Sequence, residues 1–437
     1  MTSANIRITF SFKKFYLIIL HEKELGWIHY ILYFCTFKQQ GMKKNLFLVI
    51  LLSAIIASCS SSESAEEGGS KPEVTADQDE DDATITDNYI YKLPVIFHVL
   101  YQDKGNPEQY TPASRIHDIL KYVNQLYSGG VYGIADGGSE NLGVEFVLAE
   151  RDENGRKLDI PGVEYIKWTG TYPIDPADLM TKREYAKYIW KPNEYINVML
   201  YNFANDDASG SVTLGISHMP YTVKGDHRLE GLNELEARQA GIEKSNLGFA
   251  YCSSINSLFA WKDERGQLYQ SDRYTNGSHE IEETTLGQVS RDVNVTVAHE
   301  LGHYLGLHHT FTERLTDSSA EAVDSCGDTD FCNDTPSYNR IVYNDQIEDY
   351  LNSLSENETV SSRMLMARSN CAGDDFFAAN IMDYAYTYGF RFTKEQRDRV
   401  RHVLYYSPLI PGPKKDAAVK TRAVVKGIID LPIRIVK

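Results

Sequence analysis

Basic side chains are in short supply here: 44 lysines and arginines face 61 aspartates and glutamates over 437 residues. A chain with that balance repels polyphosphate, which excludes nucleic acid as a partner. Cysteine is also scarce. The six cysteines include no C-x-x-C pair, which argues against a zinc ribbon. No internal repeat is present, so solenoid architectures are excluded. Long apolar runs are missing as well, because Leu46–Ile56 is too short to cross ~30 Å of hydrocarbon as a helix.

That short run has a different meaning in its setting. It follows Lys43 and Lys44 and precedes Ala57-Ser58-Cys59, so residues 42–58 read as a secretory signal peptide. The sequence resembles a bacterial lipoprotein signal, which implies cleavage before Cys59 and a lipid on that cysteine. Ordinary secretion and an uncleaved anchor are the alternatives. Residues 1–41 fit neither role and read as an upstream extension from a misplaced start, or as a second hydrophobic targeting segment. Residues 60–88 hold ten acids and one lysine and cannot bury enough apolar surface to fold. The stretch 59–88 is therefore expected to be a flexible tether that holds the rest off a membrane.

Residues 89–413 remain for one large domain or two lobes, about 89–306 and 307–413, followed by a basic tail at 414–437. Tyr91–Tyr101 is rich in β-branched and aromatic residues and predicts a buried strand, in which His98 is expected to pack rather than bind metal. The apolar spacing in Ile116–Tyr127 predicts a helix, and Val144–Leu148 and Tyr195–Tyr201 predict strands. The alternation points to an α/β (α+β) fold with a mixed sheet in the N-terminal part. After residue 306 the chain becomes loop-rich and polar, with one clear late helix opened by the capping-box pattern Thr393-Lys-Glu-Gln396 and stopped by prolines after Tyr406. The tail is open to two readings, flexible or an added strand. Setting aside Cys35 and Cys59 leaves Cys252, Cys326, Cys332 and Cys371, an even set for which two disulfides are expected in an exported protein.

Residues 299–309 read His-Glu-Leu-Gly-His-Tyr-Leu-Gly-Leu-His-His. On a helix, residues four apart lie one above the other, so His299 and His303 can offer two imidazoles to one ion. Gly306 can adopt positive φ, letting the chain turn off the helix and bring back a third ligand. His308 and His309 compete for that role, and the motif spacing selects His309. Three neutral imidazoles leave a fourth tetrahedral position for water, which is the arrangement of a catalytic zinc. A bare H-E-x-x-H is expected by chance about 0.02 times in such a chain, and the extended string on the order of 10⁻⁵ to 10⁻⁴ times, so the pattern carries weight. The helix is expected to start near Asp292 or Asn294.

Downstream, Asn380-Ile-Met-Asp-Tyr384 resembles the Met-turn of metzincin metallopeptidases. The resemblance implies Met382 as an apolar floor under the histidines, and Tyr384 as a donor to a developing oxyanion. With Asp330-Phe-Cys-Asn-Asp334-Thr-Pro336 and Phe392-Thr-x-x-Gln396, the chain is similar to the pappalysin and cytophagalysin group over roughly residues 89–410. That similarity implies a metzincin-like two-lobed catalytic domain and hydrolysis of protein or peptide bonds by a zinc-activated water, with Glu300 as general base. It also implies structural calcium in the Asp-Thr-Pro loop, with Asp330, Asp334 and Thr335 as candidate ligands; an Asx turn bonded to its own backbone is the competing reading. Two departures stand out. Ala385-Tyr-Thr-Tyr-Gly389 lacks the acidic residue of basic-specific members, and no cysteine lies between Cys59 and Cys252 to act as a latency switch, unless Cys252 serves. Two other functions stay open: a degenerate surface-binding or adhesion lipoprotein on a peptidase fold, and a zinc hydrolase acting on something other than a peptide.

Overall fold

The computed structural model describes residues 85–131, 138–204, 212–271, 292–355, 358–384, 386–415 and 426–437. The expected signal peptide, the lipidation site Cys59 and nearly all of the acidic tether lie outside these residues. Among the described residues no helix is long and apolar enough to cross a membrane.

The predicted strand at Tyr91–Tyr101 (β1) is the hub of a seven-stranded sheet. One edge of β1 is shared by two parallel partners. Tyr91–Val95 pairs with β2 (Val144–Leu148), and Phe97–Tyr101 pairs with β3 (Val163–Lys167). The other edge pairs in parallel with β4 (Ile196–Tyr201), and β4 in turn with β6 (Ser253–Asn256). Direction then reverses. β5 (Gly215–His218) runs antiparallel to β6, and β7 (Ile435–Val436) runs antiparallel to β5. Parallel strands are covered on both faces, which is why Ile196–Tyr201 is apolar or buried at every position instead of alternating. The described end of the tail is thus an added strand. His98 is buried between Glu164 (2.7 Å) and Asn197 (2.9 Å), as packing requires.

Helix α1 (Ala113–Tyr127) turns Ile116, Ile119, Leu120, Val123, Leu126 and Tyr127 inward, the face its periodicity predicts. Each such side chain contributes about 1.5–3 kcal/mol on leaving water. The Tyr127 hydroxyl donates to the carbonyl of Ala298 (3.0 Å), tying α1 to the next long helix, α2 (Val293–Tyr304). Beyond α2 come α3 (Arg340–Ser353) and α4 (Lys394–Tyr406), with one short two-stranded ribbon before α3 and another between α3 and α4. α4 opens with the expected reciprocal box. Gln396 N donates to the Thr393 hydroxyl (3.3 Å), and Thr393 N donates to the Gln396 side chain (3.0 Å).

The expectation of two disulfides is corrected. Cys326 and Cys371 are bonded, with their Cα atoms 5.4 Å apart, and staple the loops on either side of α3. Cys252 and Cys332 are free and buried. Cys252 belongs to the interior of the sheet at the start of β6, with its thiol directed to the Ala250 carbonyl (3.2 Å). Cys332 sits in the Asp330–Thr335 turn.

Candidate metal centre

The centre is built from the start of α2 onward. Asp292 caps the helix, its carboxylate accepting from Asn294 N (3.0 Å) and also from the amide (3.0 Å) and hydroxyl (2.7 Å) of Ser271. Of the two capping candidates, the structure uses Asp292. At the other end the Leu307 amide returns to the Gly302 carbonyl (2.9 Å), and the Gly306 amide to the His303 carbonyl (2.9 Å). This paired closure needs a left-handed residue, and Gly306 supplies it with φ +91°. A methyl group there would also come within 2.7 Å of Val403, so only glycine fits.

The turn brings His309 back to the helix. The Nε2 atoms of His299, His303 and His309 lie 3.0 Å (299–303), 3.0 Å (303–309) and 3.2 Å (299–309) apart, and all three residues are buried. Each Nδ1 is held by an acceptor: the Ile381 carbonyl for His299 (2.7 Å), the Leu307 carbonyl for His303 (2.8 Å) and the Glu313 carboxylate for His309 (2.8 Å). A carbonyl can only accept, so the proton of His299 and His303 resides on Nδ1, and their Nε2 lone pairs face one another. Burial pushes the imidazole of His299 down to about 4. It pushes those of His303 and His309 well below their ordinary range, helped by the neighbouring imidazoles, so all three are neutral. Three lone pairs aimed at one point repel unless a cation sits between them. A tetrahedral zinc with Zn–N of about 2.0–2.1 Å needs N···N of roughly 3.3–3.4 Å, so the cluster fits with a small expansion. Among the described residues this is the only group of three or more His, Cys, Asp or Glu side chains gathered closely enough to hold an ion.

His308 points elsewhere. It is buried against Phe331 (5.5 Å between rings), and Gly231 lies so close that a Cβ there would be 2.9 Å from its Nε2.

Met382 underlies the site, as the Met-turn resemblance implies. A Cβ on Gly302 would fall 2.4 Å from the Met382 sulfur, so the fourth residue of the motif is glycine because thioether and helix backbone touch. The turn is fastened from several directions. Thr310 N donates to the Met382 carbonyl (3.3 Å), and the side chains of Asn380 and Gln396 exchange two hydrogen bonds (2.9 and 3.1 Å). Tyr338 donates to Asp383 (2.7 Å), whose other oxygen faces Arg368 (3.4 Å). Tyr384 stands beside the histidines, its ring 4.3 Å from that of His309 and 5.7 Å from that of His299. Burial pushes its phenol upward, so it keeps its proton to donate.

Glu300 is buried, and its Oε2 has no hydrogen-bond partner. Burial drives its carboxyl well above the usual carboxylate range; a cation among the adjacent histidines pulls the other way. Its space is made by Gly215 on β5, where a Cβ would lie 2.4 Å from Glu300 Oε1.

In the Asp-Thr-Pro loop the hydrogen bonds are those of the Asx turn, and nothing supports calcium there. Asp330 accepts from Cys332 N (3.1 Å) and the Thr335 hydroxyl (2.7 Å), an Asx turn closed on its own segment. Asp334 accepts from Glu395 N (2.9 Å) and so fastens the loop to the first turn of α4. Burial pushes the Asp330 carboxyl up to about 8.

Three contributors escaped sequence reasoning. Glu313 lies four residues past His309, outside the motif. Gly215 is far upstream. Arg340 opens α3, its guanidinium carbon 3.8 Å from the centre of the Tyr384 ring. Only Glu313 left a local signal, an acidic residue closely following a ligand.

Three buried neutral imidazoles around one point, a buried carboxylate in the next position and a tyrosine alongside define a zinc metallopeptidase. Residues 252–405 match the family model of the M43 peptidases, described as pregnancy-associated plasma protein-A. Solved structures similar to this chain include mature mirolysin of Tannerella forsythia in complex with a cleaved peptide. It is 19% identical, covering 71% of this chain and 90% of that one, with a TM-score of 0.43. A promirolysin mutant of the same organism is 19% identical over 72% of this chain and 81% of its own, with a TM-score of 0.44. No curated protein matches.

Proposed function

We propose that this protein is an exported zinc endopeptidase that hydrolyses peptide bonds with Glu300 as general base. The observation that carries the reading is the convergence of three Nε2 lone pairs whose opposite nitrogens are all tied to acceptors. A zinc ion held by His299, His303 and His309 supplies Lewis acidity, acidifying water and polarising a carbonyl oxygen. Glu300 takes the proton of the attacking water as its oxygen bonds to the scissile carbon. It then delivers that proton to the nitrogen as the C–N bond breaks. The Tyr384 hydroxyl donates to the developing oxyanion, and Met382 keeps the floor of the site dry. Nothing in this set calls for a different hydrolytic substrate, and the intact constellation speaks against a degenerate binding protein.

Chelator-sensitive cleavage of casein, restored by zinc, is the expected behaviour. Glu300→Ala should keep about one zinc per chain yet lose turnover by about 100-fold or more. Turnover at more than a few per cent would remove Glu300 from the role of base. His309→Ala should lower zinc content, and unchanged zinc would reassign the third ligand.

The signal-like segment supports export as a lipoprotein anchored through Cys59 to a bacterial surface or periplasm-facing membrane. A labelled fatty acid should be incorporated by the wild type and not by Cys59→Ala; equal labelling of both would remove the anchor.

A further inference from the structure

Arg340 is a half-buried cation that forms no salt bridge among the described residues; the acid that feels its charge most, Glu313, is buried and engaged with His309 (2.8 Å). Its guanidinium lies over the Tyr384 ring (3.8 Å from the ring centre) and near that of Phe311 (4.7 Å), which itself stacks on His309 at 4.7 Å. It therefore stands one aromatic ring away from the metal ligands. It also lines a cavity of about 90 Å³ together with Tyr343, Asn344, Ile347, Tyr384 and Tyr386, and none of these is acidic. The nearby carboxylate of the Met-turn, Asp383, is spoken for by Tyr338 and Arg368. Residues 384–389, Tyr-Ala-Tyr-Thr-Tyr-Gly, add no acid. A guanidinium stacked on an aromatic ring is weakly hydrated and keeps its planar edge of donors free, a surface matched to a carboxylate.

Resting on the peptidase reading above, we infer that Arg340 and the cavity beside Tyr384 form a subsite for a substrate carboxylate close to the scissile bond. The carboxylate can come from an aspartate or glutamate side chain, or from the C-terminus of the peptide; the recognising chemistry is the same. The cavity is small and walled by rings, so it admits a short planar group and excludes a long basic side chain both sterically and by charge.

The test uses the purified mature protein and a peptide library in which Asp and Glu are matched by isosteric Asn and Gln, each peptide made with a free and an amidated C-terminus. Cuts are expected to concentrate beside Asp and Glu, with kcat/KM for Glu over Gln at least about tenfold. That ratio should fall toward one in Arg340→Met, which keeps the aliphatic stem against the rings, and recover in part in Arg340→Lys. Because the readout is a ratio within one variant, a general loss of activity does not imitate it. If amidation abolishes cleavage while internal acids make no difference, the carboxylate recognised is the chain terminus. Efficient cleavage with a Glu/Gln ratio near one and no effect of amidation would overturn the inference and leave the peptidase intact. No zinc-dependent cleavage of any peptide or of casein would overturn both.

Discussion

The metal centre is assembled from two regions that are held together in different ways. Residues up to Tyr304 are organised by backbone ladders: five strands run parallel, and α1 and α2 pack on them through apolar faces. The described residues of 305–413 form short ribbons, a short helix at Ser362–Met366 and two long helices, and their loops are held by side chains. The Cys326–Cys371 bond, the Asn380–Gln396 pair and Arg399, which donates to the Gly306 (2.6 Å) and Glu230 (2.6 Å) carbonyls, do that work. The ligands straddle the division. His299 and His303 stand on a helix of the first region but are oriented by backbone carbonyls of the second, Ile381 and Leu307, whereas His309 is oriented by the Glu313 carboxylate. Two ligands are thus oriented by main chain and the third by a single side chain.

The comparison can be broken most severely at the disulfide. Replacing Cys326 and Cys371 with alanine should cost about 2–4 kcal/mol. Hydrogen exchange should show the loss first in 305–384, with β1 and β4 still protected; equal loss in both regions would dissolve the distinction. A smaller effect should sharpen it. Glu313→Gln keeps an acceptor for His309 and removes the charge, and zinc affinity measured by chelator competition should fall by about 10–100-fold. Unchanged affinity would show that the carboxylate contributes no more than a backbone carbonyl does. The smallest effect concerns Lys414, buried with the Leu404 carbonyl (2.9 Å) as its hydrogen-bond partner among the described residues. Burial lowers its ammonium to about 7, below its ordinary value of 10.5. Between those values the unfolded chain holds a proton that the folded one lacks, so this residue makes stability rise with pH from about 7 to 10.5. Lys414→Met should raise the melting temperature at pH 7 and flatten that slope, stabilising by on the order of 1 kcal/mol. A lower melting temperature for the variant would show that the hydrogen bond outweighs the buried charge.

What could be read from the chain follows the same line. The ligands at 299, 303 and 309 and the turn at Gly306 were legible because helix geometry and one glycine fix them within eleven residues. The buried run of β1 and the inward face of α1 were legible from periodicity. Met382 and Tyr384 were legible only through resemblance, since a methionine and a tyrosine carry no spacing signal of their own. Contacts between distant segments were not legible. Gly215 against Glu300, Arg340 over Tyr384 and the two-residue strand at Ile435 depend on tertiary placement. Four cysteines allowed three pairings, and geometry closed one bond while burying Cys252 and Cys332 apart from it. The Asp-Thr-Pro segment offered oxygens in a pattern that suits calcium and an Asx turn alike, and the Asx turn is the one its hydrogen bonds form.

Asp292 has a consequence beyond capping. Its carboxylate grips both the amide and the hydroxyl of Ser271, and Val293 N donates to the Tyr269 carbonyl (3.1 Å), so the positions on either side of residues 272–291 are knotted to one another. The ligand-bearing helix therefore takes its register from a clamp at its own base, so the starting point of both helical imidazoles is set by three hydrogen bonds to Tyr269 and Ser271.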